Sequence, residues 1–250
     1  MEELFDSIYA EPPGNQVRGL WRAAYGEEYP EELATLSMVT RSELRQLIDG
    51  ARVGADGTIV DLGCGRGGPG IALALASGAL LTGIDYSRRA LDQARAAAAR
   101  AGIASRARFL HADVQRTGLA AGSADVVISV DVVQLVQDRR QTFAEVARIL
   151  VPGGRFCFTT WDVTPGKQLV DGVEELSDQR PLLAAAGFEI IRYSEPRGWR
   201  DRQAALYARA IASEADLTEL AARALVEEAH HLAPLIGNLH RVLCIAERRA

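Results

Sequence analysis

From Thr58 onward, short apolar runs alternate with stretches whose apolar residues recur every three or four positions. These are the two periods of buried strands and of helices lying against a sheet. The runs predict strands over Thr58–Asp61, Leu80–Asp85, Ala107–His111, Asp125–Val130 and Gly154–Thr160, with helices between them at Gly68–Ser77, Arg88–Ala101 and Arg139–Leu150. Ser87 and Asp138 stand where N-caps belong, and Asp138 with Gln141 reads as a capping box. Val151-Pro152-Gly153-Gly154 ends the third helix and turns the chain into the fifth strand. Strands and helices in alternation imply a parallel sheet with both faces covered, an α/β fold.

Both flanks of this block are helical. Upstream, Thr40-Arg41-Ser42-Glu43 is a capping box ahead of Leu44, Leu47 and Ile48, and Leu20–Tyr25 reads as a shorter helix between the breaks at Pro12-Pro13-Gly14 and Tyr29-Pro30. Downstream come a helix at Arg180–Ala186, a strand at Phe188–Tyr193, helices at Arg200–Ser213 and Leu217–Leu232, and a closing strand at Arg241–Glu247. Asp216 with Glu219 reads as the cap of the second of those helices. The expected organisation is a helical N-terminal cap over residues 1–54 and an α/β domain over 55–250, with a helical insertion at about 197–238.

Composition narrows the partners. Thirty-three acidic residues against 28 basic ones give a formal charge of −5, without the basic excess that displaces counterions from nucleic acid. No apolar run reaches the roughly 18 residues of a bilayer span, and the acidic start Met1–Asp6 is unlike a secretory leader. A cytoplasmic protein acting on a small molecule, with neither nucleic acid nor membrane as partner, is the expectation; oligomerisation is open. The single lysine, Lys167, is remote from the glycines, so no phosphate-loop lysine is present. Cys64, Cys157 and Cys244 are far apart in sequence, giving neither a disulfide framework nor a metal-ligand pair, and no metal is expected.

The strongest local signal is Ile59-Val60-Asp61-Leu62-Gly63-Cys64-Gly65-Arg66-Gly67-Gly68, a buried strand running through glycines into a helix. Glycines there permit positive φ and let a ligand approach the backbone, and the helix N-terminus offers free N–H groups. Gly63, Gly65 and Gly68 fit the dinucleotide fingerprint, whereas Asp61, Gly63, Gly65 and Gly67 fit the first motif of enzymes using S-adenosylmethionine. Asp85, at the end of the second strand, suits the ribose of either cofactor. Asp61 discriminates: a carboxylate on the pocket floor repels a pyrophosphate and attracts a ligand carrying ammonium and sulfonium charges. Asp113 and Val114, just past the third strand, suit an adenine amino group and ring.

With these motifs in order, the chain resembles the class I S-adenosylmethionine-dependent methyltransferases, closest to the small-molecule branch that includes ubiquinone-biosynthesis and glycine-betaine-type enzymes. The resemblance is strong over residues 58–162 and returns over 188–250. It implies a Rossmann-like, largely parallel seven-stranded sheet whose last strand is antiparallel. It also implies that Gly63, Cys64, Gly65 and Gly67 line the methionine portion, that Asp85 holds the ribose and that Tyr86 stacks on adenine. Asp113 and Val114 would bind the adenine, and Ser129 and Asp131 would face the methionine end.

A sulfonium methyl is already activated, so alignment and desolvation suffice for a good nucleophile, while a hydroxyl acceptor calls for a base. None of the four histidines, His111, His230, His231 and His240, stands out as that base, and the catalytic residue stays unassigned. Aromatic residues of the cap and insertion, Tyr9, Trp21, Tyr25, Trp161 and Trp199, are the candidates for a substrate wall, Trp161 foremost. After the fourth strand, Ser129-Val130-Asp131-Val132 lacks the proline-containing runs of nucleic-acid methyltransferases, which points again to a metabolite. The alternatives are an NAD(P)-dependent oxidoreductase, a non-catalytic methyltransferase-fold protein, and an enzyme using the sulfonium only for electrostatic help.

Overall fold

Seven strands form one sheet in the order β3-β2-β1-β4-β5-β7-β6: β1 Thr58–Leu62, β2 Leu80–Asp85, β3 Ala107–His111, β4 Ala124–Val130, β5 Leu150–Val163, β6 Phe188–Ser194 and β7 Leu239–Arg248. The structure is a computed structural model and describes residues 2–10, 14–164 and 178–250. Pro12, Pro13 and Lys167 of the sequence analysis lie outside the described residues. Strands β1 to β5 pair in parallel, and β7 runs antiparallel to both β5 and β6, as the expected fold class requires. The helices are α1 Glu2–Ile8, α2 Asn15–Tyr25, α3 Arg41–Ala51, α4 Gly68–Ser77, α5 Arg88–Arg100, α6 Arg139–Ile149, α7 Arg180–Ala185, α8 Trp199–Ala212 and α9 Leu220–Leu232. Among the described residues, no helix is long and apolar enough to cross a membrane.

The central strands are apolar without alternation because both sheet faces are covered. On one face Ile59, Val126, Ile128 and Leu243 pack with Leu73 of α4, Leu91 of α5 and Leu47 of α3. On the other, Val60, Val127, Phe156 and Phe158 pack with Phe143 and Val146 of α6. Helix α3, inside the stretch expected to be a cap, therefore lies in the sheet's own helical layer. A Cβ on its Gly50 would sit 2.2 Å from Ile245 Cδ1 of β7. The chain leaves β1 toward β2 and β3, then returns to place β4 on the opposite side, so a crevice opens between the carboxyl ends of β1 and β4.

A third core joins the two helical flanks. Val17, Trp21 and Tyr25 of α2 bury against Leu206 and Tyr207 of α8 and Leu225 and Val226 of α9. The Glu219 carboxylate seals this joint by accepting the Gln16 amide at 2.9 Å and the Val17 amide at 3.0 Å. That use of Glu219 corrects the expected Asp216–Glu219 capping box: α9 starts at Leu220 with Glu219 as its N-cap residue, and Asp216 closes a 3₁₀ turn at Glu214–Asp216. The Asp138 box is half-formed. Its carboxylate accepts the Gln141 amide at 2.9 Å, but the Gln141 side chain turns to the Gln115 carbonyl at 3.5 Å. Strand β5 also starts earlier than expected, because Leu150 leaves α6 to pair with Ala124, and the irregular register there absorbs the Pro152-Gly153-Gly154 turn.

Candidate active site

At the end of β1 the chain turns through Gly63, Gly65 and Gly67, with φ of +68°, +51° and +83°, a region that side chains beyond glycine enter at a cost. The Gly63 and Cys64 amides donate to the Ile84 carbonyl at 2.8 and 2.9 Å, which welds the turn to β2. Asp85 finishes the weld: one carboxylate oxygen accepts the Gly65 amide and the other the Ser87 amide, both at 2.8 Å. Burial raises the Asp85 pKa above the usual carboxylate range, partly opposed by the hydrogen bonds from the Ser87, Gly65 and Tyr86 amides. Ser87 in turn caps α5 by accepting the Ala90 amide at 3.2 Å. Asp61, 2% exposed, accepts the Gly70 amide of α4 at 2.9 Å. Burial pushes its carboxyl up to about 7, the Gly70 hydrogen bond opposing the shift and the neighbouring Asp85 adding to it.

Around this turn lies a cavity of about 470 Å³ at the carboxyl ends of β1, β2 and β4. Asp61, Gly63, Cys64, Gly65, Asp85, Tyr86, Asp113, Val114 and Asp131 all line it, so one space gathers most of the residues named for the cofactor. Two fall outside its lining. A Cβ on Gly67 would meet Ile71 Cδ1 at 3.1 Å and Ala94 Cβ at 3.2 Å, so this glycine serves helix packing. Ser129 is buried and spends its hydroxyl on the Leu62 carbonyl at 3.1 Å. Asp113 is exposed at the cavity mouth, where its carboxylate accepts the Gln115 amide at 2.8 Å.

Of the aromatic wall candidates, Tyr9 alone lines the cavity. Trp21 and Tyr25 belong to the helical core of α2, α8 and α9. Trp161 and Trp199 meet edge to face, with ring centroids 5.1 Å apart, beside a separate small pocket that also includes Arg241. Trp161 of β5 pairs in register with Arg241 of β7 and carries its guanidinium 5.0 Å from the ring centroid.

Helix α1 covers the glycine turn. The Asp6 carboxylate accepts the Ser87 hydroxyl at 2.8 Å and pairs with Arg89 at 3.2 Å, while Gln93 donates to the Tyr9 carbonyl at 2.5 Å. These contacts set Phe5 and Tyr9 on the cavity, with Arg66 4.8 Å from the centre of the Tyr9 ring. Burial, and then the Asp85 charge, raise the Tyr9 pKa, so the phenol remains protonated.

The segment Ala34–Ser37 and residues Leu135–Gln137 complete the lining and were not foreseen. The position of Leu135–Gln137 just past β4, at the switch point, is a signal that could have found them. Ala34–Ser37 carries no local motif and is placed by a long-range contact, the Met38 amide donating to Asp131 at 2.8 Å.

Residues 60–158 match the family described as Methyltransferase domain. The chain is 29% identical over 163 residues to 27-O-demethylrifamycin SV methyltransferase of Amycolatopsis mediterranei (strain S699), a match covering 65% of this chain and 56% of that protein. Among solved structures, the [4+2]-cyclase SpnF superposes with a TM-score of 0.74 at 18% identity, covering 99% of this chain and 92% of its own. Geranyl diphosphate methyltransferase in complex with SAM superposes with a TM-score of 0.70 at 20% identity, covering 97% and 94%. The chain spans about half the length of the curated relatives it matches. The glycine turn and the sheet order agree with this match: residues 60–158 resemble a methyltransferase domain, and the fold is shared with a methyltransferase solved with SAM bound.

Proposed function

We propose that this chain binds S-adenosylmethionine in the switch-point cavity and transfers its methyl group to a small molecule. The observation that carries the proposal is the ring of carboxylates Asp61, Asp85 and Asp113 around a turn whose Gly63 and Gly65 leave the backbone bare. A Cβ on Gly63 would run into the Val132 side chain, and one on Gly65 would lie 2.8 Å from the Tyr9 hydroxyl, so neither position tolerates a side chain. Three carboxylates suit a cofactor with ammonium and sulfonium charges and oppose a dinucleotide pyrophosphate.

In this assignment Gly63, Cys64 and Gly65 take the methionine portion, and Asp61 supplies the counter-charge to its cationic end. Asp85 takes the ribose hydroxyls, Tyr86 the adenine face, and Asp113 with Val114 the adenine edge. When bound, the sulfonium supplies a methyl group that needs no further activation. Phe5, Leu36, Val132 and Leu135 surround the cavity with apolar groups that exclude water. Asp131 is unsuited to act as a base, because both its oxygens are occupied: one by the Thr159 hydroxyl and Arg241, the other by the Met38 amide and Arg241. The part assigned to the chain is alignment and desolvation of the acceptor. Phe5 of α1, with Tyr9 just past it, forms part of the roof of the site.

Two assays separate binding from turnover. Radiolabelled S-adenosylmethionine should be retained on filtration and displaced by S-adenosylhomocysteine; no retention would end the proposal. With cofactor bound, a panel of phenols, amines and activated carbon acceptors should release S-adenosylhomocysteine. Retention without release by any acceptor would favour a non-catalytic role.

A further inference from the structure

The geometry points to Arg241 as a positioning residue for the methyl-transfer site, acting through Asp131 on the cavity wall Ala34–Ser37. The inference rests on the proposed cofactor site. Arg241 is 1% exposed on β7 and stands behind the cavity instead of lining it. Its guanidinium bridges two carboxylates. Nη1 and Nη2 grip the two oxygens of Asp131, the second at 3.2 Å, and Nε reaches Glu43 Oε1 at 3.2 Å. Glu43 is itself fixed as the N3 residue of the α3 capping box, accepting the Thr40 amide at 2.7 Å.

Asp131 needs this grip. It sits at φ +57° directly after β4, a conformation costly for a residue with a side chain. The Thr159 hydroxyl, donating at 2.8 Å to the oxygen that meets Nη1, helps to hold it there. The other carboxylate oxygen accepts the Met38 amide at 2.8 Å, and Met38 directly follows the wall Ala34–Ser37. A continuous line of contacts thus runs from β7 through Arg241 and Asp131 to the wall. A fork of donors is what the job requires: a lysine would keep the charge but lose the two-point orientation of Asp131. Replacing a buried ion network by apolar groups is often neutral for stability, so the network is explained by the geometry it imposes.

The test uses the full chain, with S-adenosylhomocysteine as probe. The variants are Arg241→Lys, Met38→Pro, which deletes the hooked amide while leaving the ion network intact, and Phe143→Leu as a control that loosens the opposite core. Arg241→Lys and Met38→Pro should raise the stopped-flow dissociation rate of S-adenosylhomocysteine by about tenfold, the loss of one charge-assisted hydrogen bond. In the free protein, Arg241→Lys should also speed amide exchange at residues 34–38 over the exchange of β1 and β4. Phe143→Leu, at an equal fall in melting temperature, should change neither. Dissociation rates and local exchange in both variants equal to the control would overturn the inference. A wild-type chain that shows no binding of the probe would instead sink the cofactor proposal, leaving the exchange comparison to judge Arg241.

Discussion

The Tyr9 hydroxyl stands over Gly65 so closely that a Cβ added to that glycine would lie 2.8 Å from it. A residue just past the first helix thereby closes the glycine turn from one side, while Asp85 closes it from the other by accepting the Gly65 amide.

Gly65→Ala meets two penalties, the left-handed φ of +51° and the Tyr9 hydroxyl. It should weaken S-adenosylhomocysteine binding by more than tenfold. Adding Tyr9→Phe should recover part of that loss and leave the backbone part in place, measured as a double-mutant cycle by calorimetry. Full additivity of the two changes would mean that the phenol does not bear on the turn.

Asp85→Ala removes the acceptor of two amides and the proposed ribose ligand. The expected loss is about 1–3 kcal/mol of cofactor affinity. An unchanged dissociation constant would contradict the ribose assignment.

Much of this was legible beforehand, for identifiable reasons. The strands of the parallel core announce themselves as unbroken apolar runs; Gly63 and Gly65 are local in sequence and placed by one turn, and Asp85 ends the strand beside it. Of the expected aromatic wall only Tyr9 lies on the cavity, because aromatic side chains serve cores as readily as pockets. Trp21 and Tyr25 fill the α2–α8–α9 core, and Trp161 lies under Arg241. The Ala34–Ser37 wall was invisible because a contact 93 residues away in sequence, Met38 to Asp131, puts it there. Glu219 was misread for the same reason: its carboxylate caps a helix at the other end of the chain.

Asp61 makes cofactor affinity depend on pH. With its buried carboxyl raised from 3.8 to about 7, the group is mostly neutral at pH 6 and mostly charged at pH 8. A cationic cofactor favours the charged form, so S-adenosylmethionine affinity should rise over that interval, and Asp61→Asn should flatten the rise. Stability moves the other way. The folded chain holds a proton that the unfolded chain has already lost between pH 4 and 7, so this group's contribution falls as pH climbs through that window. Melting curves of the wild type and Asp61→Asn in the absence of cofactor would reveal it. A pH-independent affinity ratio between the two proteins would refute the assignment.

Glu219→Ala removes the side-chain cap of α2. It should cost about 1 kcal/mol of stability, seen as a lower denaturant midpoint, with S-adenosylhomocysteine affinity within twofold of wild type. A large affinity loss would mean that the α2–α9 joint is coupled to the cavity.

The central claim is that the carboxylate-ringed glycine turn takes an adenosyl sulfonium ligand. Isothermal titration of the whole chain with S-adenosylmethionine, and separately with NAD and NADP, tests it most directly. One molecule of S-adenosylmethionine bound per chain, with no heat from either dinucleotide, is the predicted result. Saturable heat from a dinucleotide with none from S-adenosylmethionine would contradict it.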